Sequence, residues 1–215
     1  MSYKGILFDF DGVVIDSMHQ HYDAWSKAFA GKNIFFEKED FFQLEGQGLP
    51  TISKMLGEQH GLAEEDILDI IKKVRYYYMF DQIKFYDYFL TMISNLKNNN
   101  IPMAVVTGGQ KERVAVILEE YFSGVFKNVV TIDDVKNGKP HPEPFVKGAE
   151  MLGLGPKECI VVENAPLGIA SAKNAGCKVL AIKTTLPDMY LRKADFILNT
   201  FQEVEEKLFL LLNIQ

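Results

Sequence analysis

Apolar and polar positions divide the chain into two kinds of pattern. The stretch Ile6-Leu-Phe-Asp-Phe-Asp-Gly-Val-Val14 reads as a buried strand ending in two aspartates one residue apart. Strand side chains alternate faces, so Asp9 and Asp11 are predicted to point the same way and Phe10 to point back. Gly12 permits the sharp exit that follows. Helical spacing then takes over. Ser17 stands where a cap belongs, ahead of Met18, Tyr22, Trp25 and Phe29 on one face. A short helix through Ile52, Met55 and Leu56 follows the loop Glu45-Gly-Gln-Gly-Leu-Pro50. A longer one spans Glu64 to Tyr78, with Ile67, Leu68, Ile71, Val74 and Tyr78 as its stripe. So many consecutive helices exceed a single crossover, and residues 17–82 are predicted to form an inserted all-helical domain.

From about residue 88 the pattern alternates. A helix over Phe89–Asn98 leads to the strand Met103–Val106, and Thr107-Gly-Gly109 turns into a helix carrying Val114, Ile117, Leu118 and Tyr121. A strand over Asn128–Ile132 follows, then the loop Lys136-Asn-Gly-Lys-Pro-His-Pro-Glu-Pro144 and a helix through Phe145, Val146, Ala149 and Leu152. The strand Cys159–Val162 precedes an Ala-rich helix opened by Glu163-Asn-Ala-Pro-Leu-Gly168, and strands over Lys178–Ile182 and Asp195–Leu198 complete the pattern. Such alternation predicts an α/β fold with a doubly wound parallel sheet and right-handed crossovers. Residues 1–16 and 83–215 would form this core, and no internal repeat interrupts it.

Composition narrows the chemistry. At 215 residues, 47% hydrophobic and 24% charged, the chain suits one large globular domain or two small ones. A net charge of −6 argues against nucleic acid or an anionic membrane as partner, since both favour a basic face. Cys159 and Cys177 sit in apolar surroundings without motif spacing and read as reduced core thiols. No basic segment precedes a long apolar stretch, and no apolar run is long enough to span a bilayer. A cytoplasmic monomer is expected.

Four polar clusters share one predicted station, the carboxyl end of a strand: Asp9 with Asp11, Thr107-Gly108-Gly109, Lys139, and Glu163 with Asn164. Singly, each has a plainer explanation. A D-x-D-G run makes a solvated turn, Thr107 a helix cap, Lys139 a loop lysine, and Glu163-Asn164 a strand-end turn. Together they line the edge where open α/β sheets bind ligands. Two adjacent carboxylates repel unless a cation lies between them, and hard oxygen donors suit Mg²⁺. The chemistry such a set supports is phosphoryl transfer. Mg²⁺ on Asp9, Asn164 and Glu163, with Lys139, would neutralise a phosphate dianion. Thr107 and the amides after it, Gly108 included, would bind phosphoryl oxygens at a helix start. Asp9 would attack in line and form an aspartyl phosphate, while Asp11 serves as acid and then base.

These motifs, in this order, resemble the haloacid dehalogenase superfamily, in the branch with a small helical cap after the first motif. The likeness spans essentially the whole chain: D-F-D-G-V-V, V-V-T-G-G, G-K-P-H-P-E-P and V-V-E-N-A-P-L-G resemble its four motifs. It implies Asp9 as nucleophile, Asp11 as acid and base, and Thr107 and Lys139 on phosphate. It also implies Mg²⁺ on Asp9, the Asp11 backbone carbonyl and the fourth-motif residues Glu163 and Asn164. The second aspartate speaks against dehalogenation. His21 and Trp25, as H-x-x-x-W, resemble the β-phosphoglucomutase-like phosphatases and place His21 beside Asp11. Two departures stand out. Glu45 and Leu49 occupy the cap loop where mutases carry a basic pair, which argues against mutase activity. Glu45, next to Gly46, could instead reach the Mg²⁺ shell and favour a small substrate such as pyrophosphate. Asn164 stands where many relatives have Asp, removing one negative charge. The expected activity is hydrolysis of a small phosphorylated metabolite of sugar-phosphate type, with pyrophosphatase and then phosphomutase as alternatives. A receiver-type signalling domain is disfavoured, because its phosphorylated aspartate ends a middle strand and it carries no helical insertion.

Overall fold

The structure, a computed structural model, describes residues 2–78 and 83–214. Among these residues six strands form one parallel sheet: β1 (Gly5–Phe8), β2 (Met103–Val106), β3 (Asn128–Val130), β4 (Cys159–Glu163), β5 (Lys178–Ile182) and β6 (Phe196–Leu198). Their order is β3-β2-β1-β4-β5-β6, and every pairing is parallel. Between β1 and β2 the chain is helical: α1 (Met18–Ala30), α2 (Lys38–Phe42), α3 (Leu49–Gln59) and α4 (Glu64–Tyr77). The remaining helices are α5 (Phe89–Asn98), α6 (Lys111–Phe122), α7 (Glu143–Met151), α8 (Pro166–Ala175), α9 (Asp188–Leu191) and α10 (Phe201–Leu212).

The sheet is covered on both faces, so its strands are apolar throughout. Ile6, Phe8, Ile160 and Val162 face a cluster built from α5, α6 and α10. Leu7, Val161 and Val179 face the opposite way, toward Phe145 of α7 and Ile169 of α8. Each such buried side chain stabilises the fold by about 1.5–3 kcal/mol. The inserted helices carry an aromatic core in which Trp25 stacks on Phe29 at 6.0 Å and Phe36 on Phe41 at 5.8 Å. That core is continuous with the Leu7 face of the sheet. Among the described residues no helix is long and apolar enough to cross a membrane. Both cysteines are buried and unpaired.

The doubly wound sheet and helical insertion match the expectation, and several details differ. The predicted end of the insertion at residue 82 lies outside the described residues. On α4 the buried residues are Ile67, Ile70 and Val74, whereas Leu68 is 52% exposed. Met55 and Tyr121 also face outward, and Phe122 takes the core position at the end of α6. The third strand stops at Val130, short of Ile132, because Thr131 turns the chain. Its N–H and hydroxyl both donate to Asp134 Oδ2, at 2.9 and 2.7 Å. Ser17 does precede α1, yet its hydroxyl makes no cap bond. Three helices, α2, α9 and α10, were not anticipated from the sequence.

Candidate active site

The strand order reverses between β1 and β4, which places a crevice at their carboxyl ends. Phe8 pairs with Val162, and the Asp9 N–H donates to the Val162 carbonyl at 3.0 Å. This register sets Asp9 beside Glu163. β1 has ended by then, so a turn brings Asp11 round to Asp9, not strand alternation. Val14 N–H closes that turn onto the Phe10 carbonyl at 2.8 Å, and Gly12 holds φ +84°. A Cβ at Gly12 would also meet Asn164 Nδ2 at 2.1 Å, so only glycine lets the turn pass this amide.

Lys139 is buried between two acids. Its Nζ donates to Asp9 Oδ1 at 2.5 Å and to Glu163 Oε1 at 2.6 Å. Glu163 Oε2 accepts the N–H groups of Asn164 and Ala165 at 2.8 and 3.0 Å. Both Glu163 oxygens are therefore engaged at the start of α8. Burial pushes the Asp9 carboxyl up to about 7, with Glu163 and Asp11 adding repulsion against the pull of Lys139. A buried carboxyl so placed needs further positive charge to be fully ionised at neutral pH. Thr107 lies at the same edge, but it does not cap α6. Its Oγ1 accepts the Gly109 N–H at 2.9 Å, and Gln110 precedes the helix.

Asp11 is held differently. Ser17 donates to its Oδ1 at 2.6 Å, His21 Nε2 lies 2.9 Å from the same atom, and Arg113 Nη1 donates to it at 3.0 Å. Arg113 Nη2 donates to Oδ2. Burial acts to raise this carboxyl, yet Arg113 and His21 outweigh it and hold Asp11 well below the usual carboxylate range. Burial lowers His21, so its imidazole is neutral. With Asp11 ionised, Nε2 carries the proton, and Nδ1 accepts from the Tyr78 hydroxyl. Arg113, Tyr78 and the role of Ser17 were not anticipated from sequence. Two of the chain's three arginines, Arg75 and Arg113, line this cavity.

Glu45 reaches the same floor. Its Oε2 accepts Asn164 Nδ2 at 2.9 Å, while Glu45 Oε1 and Asn164 Oδ1 are buried without a hydrogen-bond partner. Burial raises Glu45 well above its ordinary value, and Asp9, Glu163 and Asp11 add to the shift. Among the described residues no three His, Cys, Asp or Glu side chains form a ready metal cluster. Lys139 and Arg113 already occupy three of the carboxylates. Four carboxylates (Asp9, Asp11, Glu45 and Glu163) against Lys139 and Arg113 nevertheless leave two negative charges when all are ionised. Orphaned buried oxygens and that excess fit one hard divalent cation such as Mg²⁺.

The loop between α2 and α3 packs directly against Lys139 and the residues after β2. Gly46 holds φ +92°, and a Cβ there would meet Lys139 Cδ at 2.8 Å. A Cβ on Gly108 would stand 2.4 Å from the Gly46 carbonyl oxygen and 2.7 Å from its carbon. Backbone touches backbone at this seam. Gly108→Ala is therefore expected to hold the cap loop off the site. It should lower kcat/KM about 10²-fold while the melting temperature stays near that of the parent, as steady-state kinetics and a thermal melt would show.

Of the residues singled out from sequence, Asp9, Asp11, His21 and Glu45 line one cavity of about 350 Å³ together with Gly46, Thr107 and Gly108. Lys139, Glu163 and Asn164 bond to its floor residues. A family model for haloacid dehalogenase-like hydrolases matches residues 3–176. Hexitol phosphatase A of Escherichia coli strain K12 is 30% identical over 213 residues, 95% of this chain and 94% of that protein. Pyrophosphatase PpaX of Oceanobacillus iheyensis is 27% identical over 219 residues, 95% and 96% of the two chains. Among solved structures, a proposed beta-phosphoglucomutase of Bacteroides vulgatus superposes with a TM-score of 0.88 at 27% identity, over 99% of this chain and 90% of that one. Sheet order, motif placement and sequence likeness agree, and the chain belongs to the haloacid dehalogenase-like hydrolases.

Proposed function

We propose that this hydrolase is a Mg²⁺-dependent phosphohydrolase acting on a small phosphorylated metabolite through an aspartyl phosphate on Asp9. The observation that carries the reading is the pairing of two aspartates in opposite states. Asp9 is buried against one lysine and pushed upward, whereas Asp11 is clamped by an arginine and a histidine. Asp9, ionised once Lys139 and a bound cation balance it, is the carboxylate left to attack, while Asp11, held through both oxygens by other side chains, is left to handle protons. Bound through Asp9, the Asp11 backbone carbonyl and Asn164, Mg²⁺ would supply two positive charges next to the phosphoryl group. Lys139 holds the Asp9 carboxylate in line and adds a third charge, and Glu163 anchors the lysine. The Thr107 hydroxyl and the Gly108 amide take the remaining phosphoryl oxygens. Asp11, oriented by Ser17 and His21, takes up the proton of the substrate's monoanionic phosphate, passes it to the leaving oxygen and later takes one from the attacking water. The cap, which we assign to residues 17–82, closes through Gly46 on Gly108 and excludes bulk water.

The likeness to hexitol phosphatase A supports a sugar-phosphate type of substrate. One observation favours a second reading, hydrolysis of pyrophosphate. Glu45 reaches Asn164 from the cap loop and is positioned to join the cation's shell, as the similarity to a PpaX pyrophosphatase would suit. Phosphate release with Mg²⁺ across sugar phosphates, nucleotides and pyrophosphate, repeated for Glu45→Ala, tests both. Strong pyrophosphate turnover that falls about 100-fold in the variant selects the second reading. Broad turnover of sugar phosphates, unchanged in the variant, selects the first. No phosphate from any substrate would reject the activity altogether.

A further inference from the structure

The phosphoryl chemistry leaves part of the cavity lining unassigned, namely apolar side chains and two cations. Phe41, Leu49 and Ile52 of the cap offer no hydrogen-bond partner to a polyol. Of 23 Lys and Arg residues in the chain only three are arginine, and Arg75 and Arg113 both line this cavity. Arginine recognises phosphate and carboxylate through a planar fork that lysine lacks.

Arg113 approaches from the core. Its guanidinium directs both terminal nitrogens at the Asp11 carboxylate. Its central carbon lies 5.5 Å from the Phe10 ring centre and 5.9 Å from that of Tyr78. The side chain lines the cavity and is 21% exposed. Gly109 makes room for it: a Cβ there would stand 3.0 Å from Nη2. Asp11 faces the leaving oxygen in the reaction above, so a cation fixed to Asp11 stands on the leaving side of the scissile bond. Lys139, bonded to Asp9, stands on the other side. A neutral alcohol leaving group gains little from a half-buried guanidinium. An anionic one gains charge-assisted hydrogen bonds.

We propose that Arg113, with Arg75 at the cavity mouth, binds a second anionic group on the leaving side, so that the preferred substrates are doubly anionic. Such substrates are pyrophosphate or a phosphomonoester whose alcohol carries a further phosphoryl or carboxylate group. The proposal rests on the phosphohydrolase reading and narrows its substrate class.

Steady-state kinetics with Mg²⁺ on p-nitrophenyl phosphate, glucose 6-phosphate, pyrophosphate and fructose 1,6-bisphosphate test it in the parent, Arg113→Gln and Arg75→Gln. The parent should favour pyrophosphate or the bisphosphate. Arg113→Gln should raise KM for that substrate about 10- to 100-fold more than for the two monophosphates, and Arg75→Gln about 3-fold more. Which of the two charged substrates responds identifies the source of the second anion. An equal loss on all four substrates would reduce Arg113 to a positioning residue for Asp11 and overturn the proposal. A parent that prefers the monophosphates would overturn it too. Inactivity of the parent on all four would remove the phosphohydrolase reading, and the proposal with it. If a thermal melt shows Arg113→Gln unfolded, the exposed Arg75→Gln decides, and an unchanged KM for the charged substrates there refutes the assignment.

Discussion

Asp9→Asn is expected to abolish turnover, by on the order of 10⁴-fold or more, while leaving a folded protein. An amide oxygen cannot form the covalent phosphoryl intermediate, and neither Asp11 nor Glu163 is free to substitute. Asp11 is locked by Arg113, His21 and Ser17, and Glu163 is locked by Lys139 and two backbone N–H groups. The stability side has the opposite sign. Burial raises Asp9 to about 7 from 3.8, so between those values the folded state holds a proton that the unfolded chain releases. Stability is lost as pH rises through that window. The variant lacks this penalty and, in a melt at pH 8 with the metal chelated, should be at least as stable as the parent. Turnover within tenfold of the parent would show that Asp9 is not the nucleophile. A variant that is inactive and unfolded would instead show the carboxylate to be structural.

Much of this site was legible because the chemistry sits where the apolar pattern stops. The runs ending at Phe8, Val106 and Val162 are buried strands, and the polar residues after each of them meet at one sheet edge. Tertiary contacts hid the rest. Ser17 has the right type and place for a helix cap, yet Asp11 offers its hydroxyl a charged acceptor at 2.6 Å. Leu68 fits a helical stripe that the packing of α4 shifts onto Ile70. Arg113 lies one residue before Val114, and nothing local marks it as a partner for a carboxylate 102 residues earlier. The missed helix α10 did carry a local signal. Thr200-Phe-Gln-Glu203 has the form of a capping box, with the Glu203 N–H donating to Thr200 Oγ1 at 3.2 Å. Phe201, Val204 and Leu208 then supply its buried face.

Lys139→Met is expected to cost both activity and stability. The ammonium is 2.5 Å from Asp9 and 2.6 Å from Glu163, and the side chain is 1% exposed. It also lies 5.0 Å from the Phe145 ring centre. Methionine approximates the volume of the stem, so the loss isolates the charge. Removing one partner of a buried ionic cluster costs about 3–5 kcal/mol, because the remaining charges stay desolvated without compensation. For a chain of this size that is roughly 10 °C in melting temperature. Asp9 and Glu163 would then repel each other, and protonation of Asp9 would relieve it, so the penalty should shrink as pH falls from 8 to 5. Turnover should fall by about 10³-fold, since Asp9 loses the group that orients it. Adding Glu163→Gln separates the two effects. Its amide nitrogen can donate to Asp9 where the ammonium stood and removes one buried charge, so the melting temperature should partly recover. Turnover should not, because an amide supplies no positive charge to a phosphoryl group. Recovery of activity in the double variant would mean that Lys139 serves only to neutralise Glu163, and the catalytic assignment of the lysine would fall.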